Sequence, residues 1–186
     1  MIARADPKGW HSRGYLPHFD SPEMVQHIVF RAANSLPPEW LASLDLDVVR
    51  RRKEIDEYLD QGLGASPLKD PANAFIVQET LLYFDGQRYR LLAWCIMANH
   101  VHAVIEQIAG FSLGAVVKSW KMASTRAMNA RTGASGAIWA SDYFDRYMRN
   151  EEQLEKTVAY VENNPVNAGL CAAPAGWAWS SARRRG

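Results

Sequence analysis

Two strand-like segments joined by a short turn constrain the fold more than any other part of the sequence. The segment QRYRLLAWCIM, residues 87–97, becomes apolar on both of its faces after Leu91. This pattern is typical of a strand in the centre of a sheet. The next residues, ANH, suit a tight turn, and HVHAVIE, residues 100–106, has the composition of a returning partner strand. We therefore expect an antiparallel β-hairpin at the centre of the fold.

The remaining elements flank this hairpin in a regular order. In chain order we predict a strand near Met24–Ala33, a helix over 37–62 with a break near Asp45–Asp47, a helix over 71–84, a helix over 112–130, a strand or extended arm over 138–148, and a helix over 150–164 that Pro165 ends. The order β-α-β-β-α-β is typical of an α+β, ferredoxin-like fold, in which an antiparallel sheet carries helices on one face. One extra helix comes early and another comes late.

Length and composition indicate one domain of an ordinary globular protein. The 186 residues suffice for a single core, so we expect one domain over 1–186 with an N-terminal arm (1–23) and a C-terminal segment (171–186). No apolar run is long enough to span a membrane, and no secretory signal is visible. Cys95 and Cys171 alone cannot form a disulfide framework. A cytoplasmic protein without membrane contacts is expected, and a monomer is favoured over an oligomer.

Charge permits a polyanionic partner without requiring one. The net charge is +1, but residues 1–90 carry −2 and residues 91–186 carry +3. Three of the later cations are Arg183, Arg184 and Arg185. The asymmetry is compatible with nucleic-acid binding. It is equally compatible with a solvated surface that ends in a frayed basic tail.

The His-Val-His sequence of the second hairpin strand suggests a metal site. Residues two apart on a strand point to the same side, so His100 and His102 share one face, which we expect to be partly open. Two imidazoles at this spacing can bind one ion. The alternative is a pair of partly buried histidines that only form hydrogen bonds.

The helix over 150–164 can add polar groups to that face. Leu154, Val158 and Val161 form its apolar stripe, while Tyr160 and Asn164 are four residues apart on one flank. A phenol and a carboxamide beside a buried stripe could face the two histidines. Alternatively, Tyr160 is a packing side chain and Asn164 caps the helix before Pro165.

Three separated blocks of the sequence resemble the REP-associated tyrosine transposases, which are single-tyrosine HUH nucleases. The blocks are WCIMANHVHAVI, IWASDYFDRYMRNEEQLEKTVAYVENNPVNAGL and WAWSSAR, and they occur in the expected order. The resemblance runs from about Val25 to Arg183 and is densest over 94–105 and 138–182. It implies a ferredoxin-like fold. One departure is Ala98, which stands in the hairpin turn where the family often has proline.

The resemblance also implies roles for individual residues. It gives His100 and His102 as the pair that holds a divalent metal, Mg²⁺ or Mn²⁺, with Asn164 completing the site. Tyr160 matches the nucleophile on the last helix. The implied activity is cleavage and strand transfer of single-stranded DNA next to REP-like hairpins, through a 5′-phosphotyrosine intermediate.

Several cations could neutralise a DNA backbone, and aromatic side chains lie among them. The candidates are Arg31 on the first strand, Lys118, Lys121 and Arg126 beside Trp120 on the helix over 112–130, and Arg146 and Arg149 after it. Trp139 and Phe144 are expected in the core.

Two other functions remain open at this point. A domesticated relative could bind structured single strands without cutting them, although an intact Tyr160 argues against this. An unrelated metal hydrolase could use the His-x-His pair, but it would need a further strong ligand such as Glu106. Tyr143 and Tyr147 are rival nucleophiles without an amide four residues further on.

Overall fold

The computed structural model describes residues 9–12, 17–44 and 47–185. Its strands are β1 Gly9–Ser12, β2 Pro17–Asp20, β3 Val25–Arg31, β4 Tyr89–Ile96, β5 His100–Gln107 and β6 Phe144–Tyr147. Its α-helices are α1 Pro38–Ser43, α2 Val48–Asp60, α3 Pro71–Leu82, α4 Leu113–Thr132, α5 Glu151–Asn167 and α6 Ser181–Arg185. The predicted helix over 37–62 is thus two helices. Its break falls near residues 45 and 46, which lie outside the described residues.

An antiparallel sheet with the strand order β4-β5-β3-β6 forms the centre of the molecule. Helix α3 connects β3 to β4, and α4 connects β5 to β6. This is the β-α-β-β-α-β arrangement of the ferredoxin-like fold, which confirms the predicted fold class. The two middle strands are β5 and β3, and their register pairs Arg31 with His100 and Val29 with His102.

Strand β4 lies at an edge of the sheet, so the prediction that it is central was wrong. Its apolar composition has a different cause, because the chain covers both of its faces and also its free edge. The Ile96 amide donates to the Trp179 carbonyl at 2.9 Å, and the Trp177 indole donates to the Ile96 carbonyl at 2.9 Å. The C-terminal segment therefore protects the edge from pairing with another chain.

Helices cover both faces of the sheet, not one face as the sequence predicted. On one face, Phe30 and Ile105 pack with Val77 of α3 and Trp120 of α4 in the main core. The opposite face carries His27, His100 and His102, and we call it the histidine face. Here Val161 of α5 packs against Val104, while residues of α2 pack in a separate cluster that includes Phe144. The extra helices thus form a second layer.

Helix α5 passes through Pro165 and ends two residues later, so the predicted stop at Pro165 was wrong. Asn164 and Pro165 are buried, and packing holds the chain in helical geometry there. The helix ends where Gly169 takes a positive φ of 70°, which glycine adopts without steric cost. The Leu170 amide then donates to the Pro165 carbonyl at 2.8 Å. One more turn of helix places Asn164 inside α5 and excludes a role as its cap.

The basic C-terminal residues are exposed, but contacts of Arg185 hold their helix on the domain, so they do not form a frayed tail. They belong to α6, so α5 is not the last helix of the chain. Arg185 donates to the Leu92 carbonyl at 2.7 Å and forms an ion pair with Glu162 at 2.8 Å. Among the residues that the structure describes, no helix has the length and apolarity to cross a membrane. Cys95 and Cys171 are both free thiols.

Part of the N-terminal arm forms a hairpin of β1 and β2 that a buried histidine fixes to β6. His18 lies between two carboxylates, with Nε2 3.3 Å from Asp142 and Nδ1 bonded to Asp145. The same Asp145 accepts the Phe19 amide at 3.0 Å. Burial alone would lower the pKa of His18, but the bonds to Asp142 and Asp145 outweigh it and raise the pKa to about 9.

The hairpin should therefore be held most firmly at neutral and acidic pH. A pKa above the unfolded value of 6.5 means that His18 stabilises the fold fully below about pH 6.5 and loses this effect as the pH rises through about 9. Thermal unfolding of native and His18→Ala proteins between pH 6 and 10 tests this. We expect the difference in Tm to be largest at pH 6 and to shrink towards pH 10. A difference that does not change with pH would contradict a charged His18.

Candidate active site

The two histidines of β5 converge on a single point, as the sequence predicted. Their Nε2 atoms are 2.9 Å apart, and their rings meet edge to face. Both side chains are fully buried, so the expectation of a partly open face was wrong. The reason is that α2 and α5 lie over this part of the sheet.

Neighbouring side chains set the orientation of each imidazole. The Asn99 amide nitrogen donates to the Leu63 carbonyl at 3.0 Å, which turns its oxygen towards His100 Nδ1 at 2.8 Å. Nδ1 of His100 therefore carries the proton, and Nε2 presents a lone pair. On the second ring, His102 Nδ1 lies 3.0 Å from His27 Nε2. Partners of this kind, bonded to the nitrogen that faces away from a site, orient metal-binding histidines.

Helix α5 brings Asn164 and Tyr160 to the histidine pair. The Asn164 carboxamide is buried, with Nδ2 3.4 Å from His102 Nε2, and its Oδ1 has no hydrogen-bond partner among the described residues. The Tyr160 ring stands edge-on to His102 at 5.8 Å and to His27 at 6.2 Å between centroids. Tyr160 is 37% exposed, so its side chain marks the place where the buried cluster reaches solvent.

A carboxylate that the sequence reasoning missed also reaches the cluster. Asp60, the last residue of α2, has Oδ1 3.4 Å from His100 Nε2. One ligand atom from each of Asp60, His100 and His102 lies within 4.8 Å of the other two. The only signal in the sequence is an acidic residue at the end of a helix, where the helix dipole disfavours negative charge.

These groups fit a divalent cation. Cis ligands at about 2.1 Å in an octahedral shell are about 3.0 Å apart, which is close to the 2.9 Å between the two Nε2 atoms. The unpartnered Asn164 Oδ1 is an oxygen ligand that needs only an amide flip to face the same point, because amide N and O occupy equivalent positions. The Asp60 carboxylate adds an anionic oxygen. A mixed set of nitrogen and oxygen ligands suits Mn²⁺ and can also bind Mg²⁺.

The candidate DNA-binding cations fall into two groups. Arg31 and Arg146 lie on the histidine face, where Arg31 pairs in register with His100 and Arg146 pairs with His27. Arg31 lines a cavity of about 530 Å³ between the sheet and α2, and burial lowers its pKa. Arg146 and Arg149 are exposed.

The predicted cations on α4 lie across the sheet from the histidines. Lys118 and Arg126 are exposed beside a groove between α3 and α4. Lys121 donates to the carbonyls of Ala140 at 3.0 Å and Asp142 at 2.7 Å, so it holds the loop before β6. Trp120 is buried and donates to the Tyr89 hydroxyl at 2.8 Å, which excludes stacking on bases.

The structure also separates the rival residues from the cluster. Tyr143 is buried in the main core against His18. Tyr147 pairs with Gln26 on the face opposite the histidines and packs on Phe19. Glu106 lies near the other end of β5 and forms an ion pair with Arg90 at 2.9 Å. An unrelated hydrolase that uses Glu106 as a ligand therefore has no support in this geometry.

The fold and the cluster together define a class: ferredoxin-like proteins with a His-x-His pair and a tyrosine on a covering helix. Residues 77–164 match the family described as "Transposase IS200 like". The match includes both histidines of β5, Tyr160 and Asn164. It agrees with the resemblance to the transposases found in the sequence.

Solved structures resemble the chain, and the one with a TM-score above 0.5 supports the fold. One is a REP-associated tyrosine transposase bound to a REP hairpin, with 14% identity, a TM-score of 0.58, and coverage of 90% of this chain and 81% of that chain. Another is a proposed transposase from Deinococcus radiodurans R1, with 18% identity, a TM-score of 0.40, and coverage of 83% of this chain and 96% of that chain. No curated protein matches the sequence significantly.

Proposed function

We propose that the protein is a metal-dependent endonuclease and strand transferase for single-stranded DNA next to REP-like hairpins, and that it acts through Tyr160. The observation that carries the proposal is the meeting of His100, His102, Asn164 and Tyr160 at one point, where α5 crosses the end of β5. A histidine pair with only a structural role would not explain why the partly exposed phenol of Tyr160 lies beside it. It would also not explain why the buried Asn164 Oδ1 has no hydrogen-bond partner among the described residues.

The chemistry follows from the positions of these groups. His100, His102 and Asn164 would hold a divalent cation, Mg²⁺ or Mn²⁺, which when bound polarises the scissile phosphate and offsets its charge. The Tyr160 oxygen attacks phosphorus in line with the bond to the 3′ oxygen. The phenol loses its proton, and the departing 3′ oxygen gains one. A 5′-phosphotyrosine bond replaces the phosphodiester, so a second 3′-hydroxyl can reverse the reaction on another strand.

The surroundings of Tyr160 support a DNA substrate. Arg146 and Arg149 are exposed, and Arg31 and Arg146 lie on the same sheet face as the histidines. Cations in such positions neutralise phosphates. Lys118 and Arg126 would contact only DNA that extends around the domain to α4. The solved transposase with a hairpin bound supports a hairpin partner for this chain.

Covalent capture of DNA tests the proposal. The full chain is incubated with a hairpin oligonucleotide that carries single-stranded flanks, with Mg²⁺ or Mn²⁺, and is then resolved on a denaturing gel. We expect a protein–DNA adduct that requires the metal and retains a label on the fragment 3′ to the cut. A protein that binds the oligonucleotide but forms no adduct with any flank sequence would instead be a non-cleaving binding protein.

A further inference from the structure

We propose that Asp60 is an additional ligand of the divalent cation and supplies the negative charge of the site. This inference rests on the proposed function, since it concerns the same metal. Helix α2 is an addition to the ferredoxin-like arrangement of β3 to β6. The proposal gives this helix a role in binding the metal. The carboxylate of Asp60 is the only acidic group among the described residues that reaches the histidine pair.

The argument starts from the hydrogen bonds around His100. Asn99 Oδ1 accepts a hydrogen bond from Nδ1 of His100, because the Asn99 amide nitrogen donates to the Leu63 carbonyl. The lone pair on Nε2 of His100 then points at Asp60 Oδ1, 3.4 Å away, and at His102 Nε2, 2.9 Å away. A carboxylate oxygen can only accept hydrogen bonds. Two acceptor atoms, Asp60 Oδ1 and His100 Nε2, thus face each other in a buried space, and a shared cation would stabilise both.

Charge gives a second reason. Two imidazoles and one carboxamide are neutral, so they would leave both charges of a buried divalent cation uncompensated. Burial of uncompensated charge is costly. The Asp60 carboxylate halves that charge, and its hard oxygen favours Mg²⁺ and Mn²⁺ over metals that prefer nitrogen or sulfur ligands. The remaining exposure of the Asp60 side chain, 23%, leaves room for water on the open side of the cation.

The test measures metal binding without DNA, so it does not depend on catalysis. Mn²⁺ is titrated into the full-length native, Asp60→Asn and Glu57→Gln proteins, and free Mn²⁺ is followed by electron paramagnetic resonance. Glu57→Gln is the matched control: it removes the same charge from the same helix, but Glu57 is exposed and pairs with Lys53 on the surface. We expect Asp60→Asn to raise the Kd at least tenfold and Glu57→Gln to change it less than about twofold.

A cysteine substitution adds a direct signature of coordination. Thiolates bind soft metals, so Asp60→Cys should bind Cd²⁺ with a thiolate-to-metal charge-transfer absorption that Glu57→Cys lacks. Mn²⁺ affinity of Asp60→Asn within twofold of the native value would overturn the proposal, and so would an Asp60→Cys protein without the absorption. If the native chain still forms the DNA adduct in either case, only the role of Asp60 falls. If neither the native chain nor any variant binds Mn²⁺ or forms an adduct, the proposed function falls with it.

Discussion

The Tyr160→Phe protein will bind hairpin-bearing single-stranded DNA nearly as the native protein does, yet it will form no covalent complex with it. Phenylalanine keeps the ring that stands edge-on to His102 and His27 and removes only the oxygen. Folding should be unaffected, because Tyr160 is 37% exposed and lies outside the apolar stripe of α5. Loss of a nucleophile lowers the rate by at least about 10³-fold. Denaturing gels for the adduct and filter binding for affinity measure the two effects separately.

Tyr147→Phe serves as the matched control for this experiment. It removes a phenol oxygen from a nearby strand, but Tyr147 packs with Trp10 and Phe19 on the face opposite the histidines. This variant should form the adduct at close to the native rate. If the adduct maps to Tyr147 or Tyr143, that residue and not Tyr160 is the nucleophile. Cleavage by Tyr160→Phe that leaves free 5′-phosphates would mean that water attacks, and the transposase-like mechanism would then be wrong.

The sequence predicts the fold well because its local signals and its chain order agree. Alternation in β3 and β5 assigns each side chain to a face, and Ser112 and Asn150, which begin two of the predicted helices, cap them. Errors arise where tertiary contacts replace local signals. Strand β4 has the composition of a central strand, but an edge covered by the segment around Trp177 and Trp179 buries it equally well. Pro165 does not end α5, because packing around Asn164 continues the helix.

The candidate site is predictable only in the part that one strand and one helix specify. Strand periodicity places His100 beside His102, and helical periodicity places Tyr160 beside Asn164. Asp60 is 40 residues from His100 in the chain, and only the docking of α2 on the sheet brings them together. The supporting contacts of Asn99 and His27 depend on side-chain rotamers and on register between strands. No local pattern in the sequence encodes such contacts.

The His102→Leu protein should lose both metal binding and metal-dependent formation of the DNA adduct. His102 is fully buried, and its Nε2 is within 3.5 Å of both His100 Nε2 and the Asn164 amide, so it lies at the centre of the cluster. Leucine removes both ring nitrogens but fills much of the buried volume, which an alanine would leave empty. Mn²⁺ titration without DNA and the adduct assay with DNA give independent readouts, and thermal unfolding verifies that the variant is folded.

The His27→Leu protein distinguishes the effect of losing an orienting side chain from the effect of losing a metal ligand. His27 Nε2 lies 3.0 Å from His102 Nδ1, on the side of the ring that faces away from His100. Loss of an orienting partner of this kind weakens metal affinity by about 10- to 100-fold without abolishing it. We therefore expect His27→Leu to bind Mn²⁺ weakly and to regain adduct formation when the metal concentration is raised, whereas His102→Leu should not recover at any concentration. Full recovery of His102→Leu at high Mn²⁺ would mean that His100, Asn164 and Asp60 suffice to hold the metal, and His102 would then be a supporting residue.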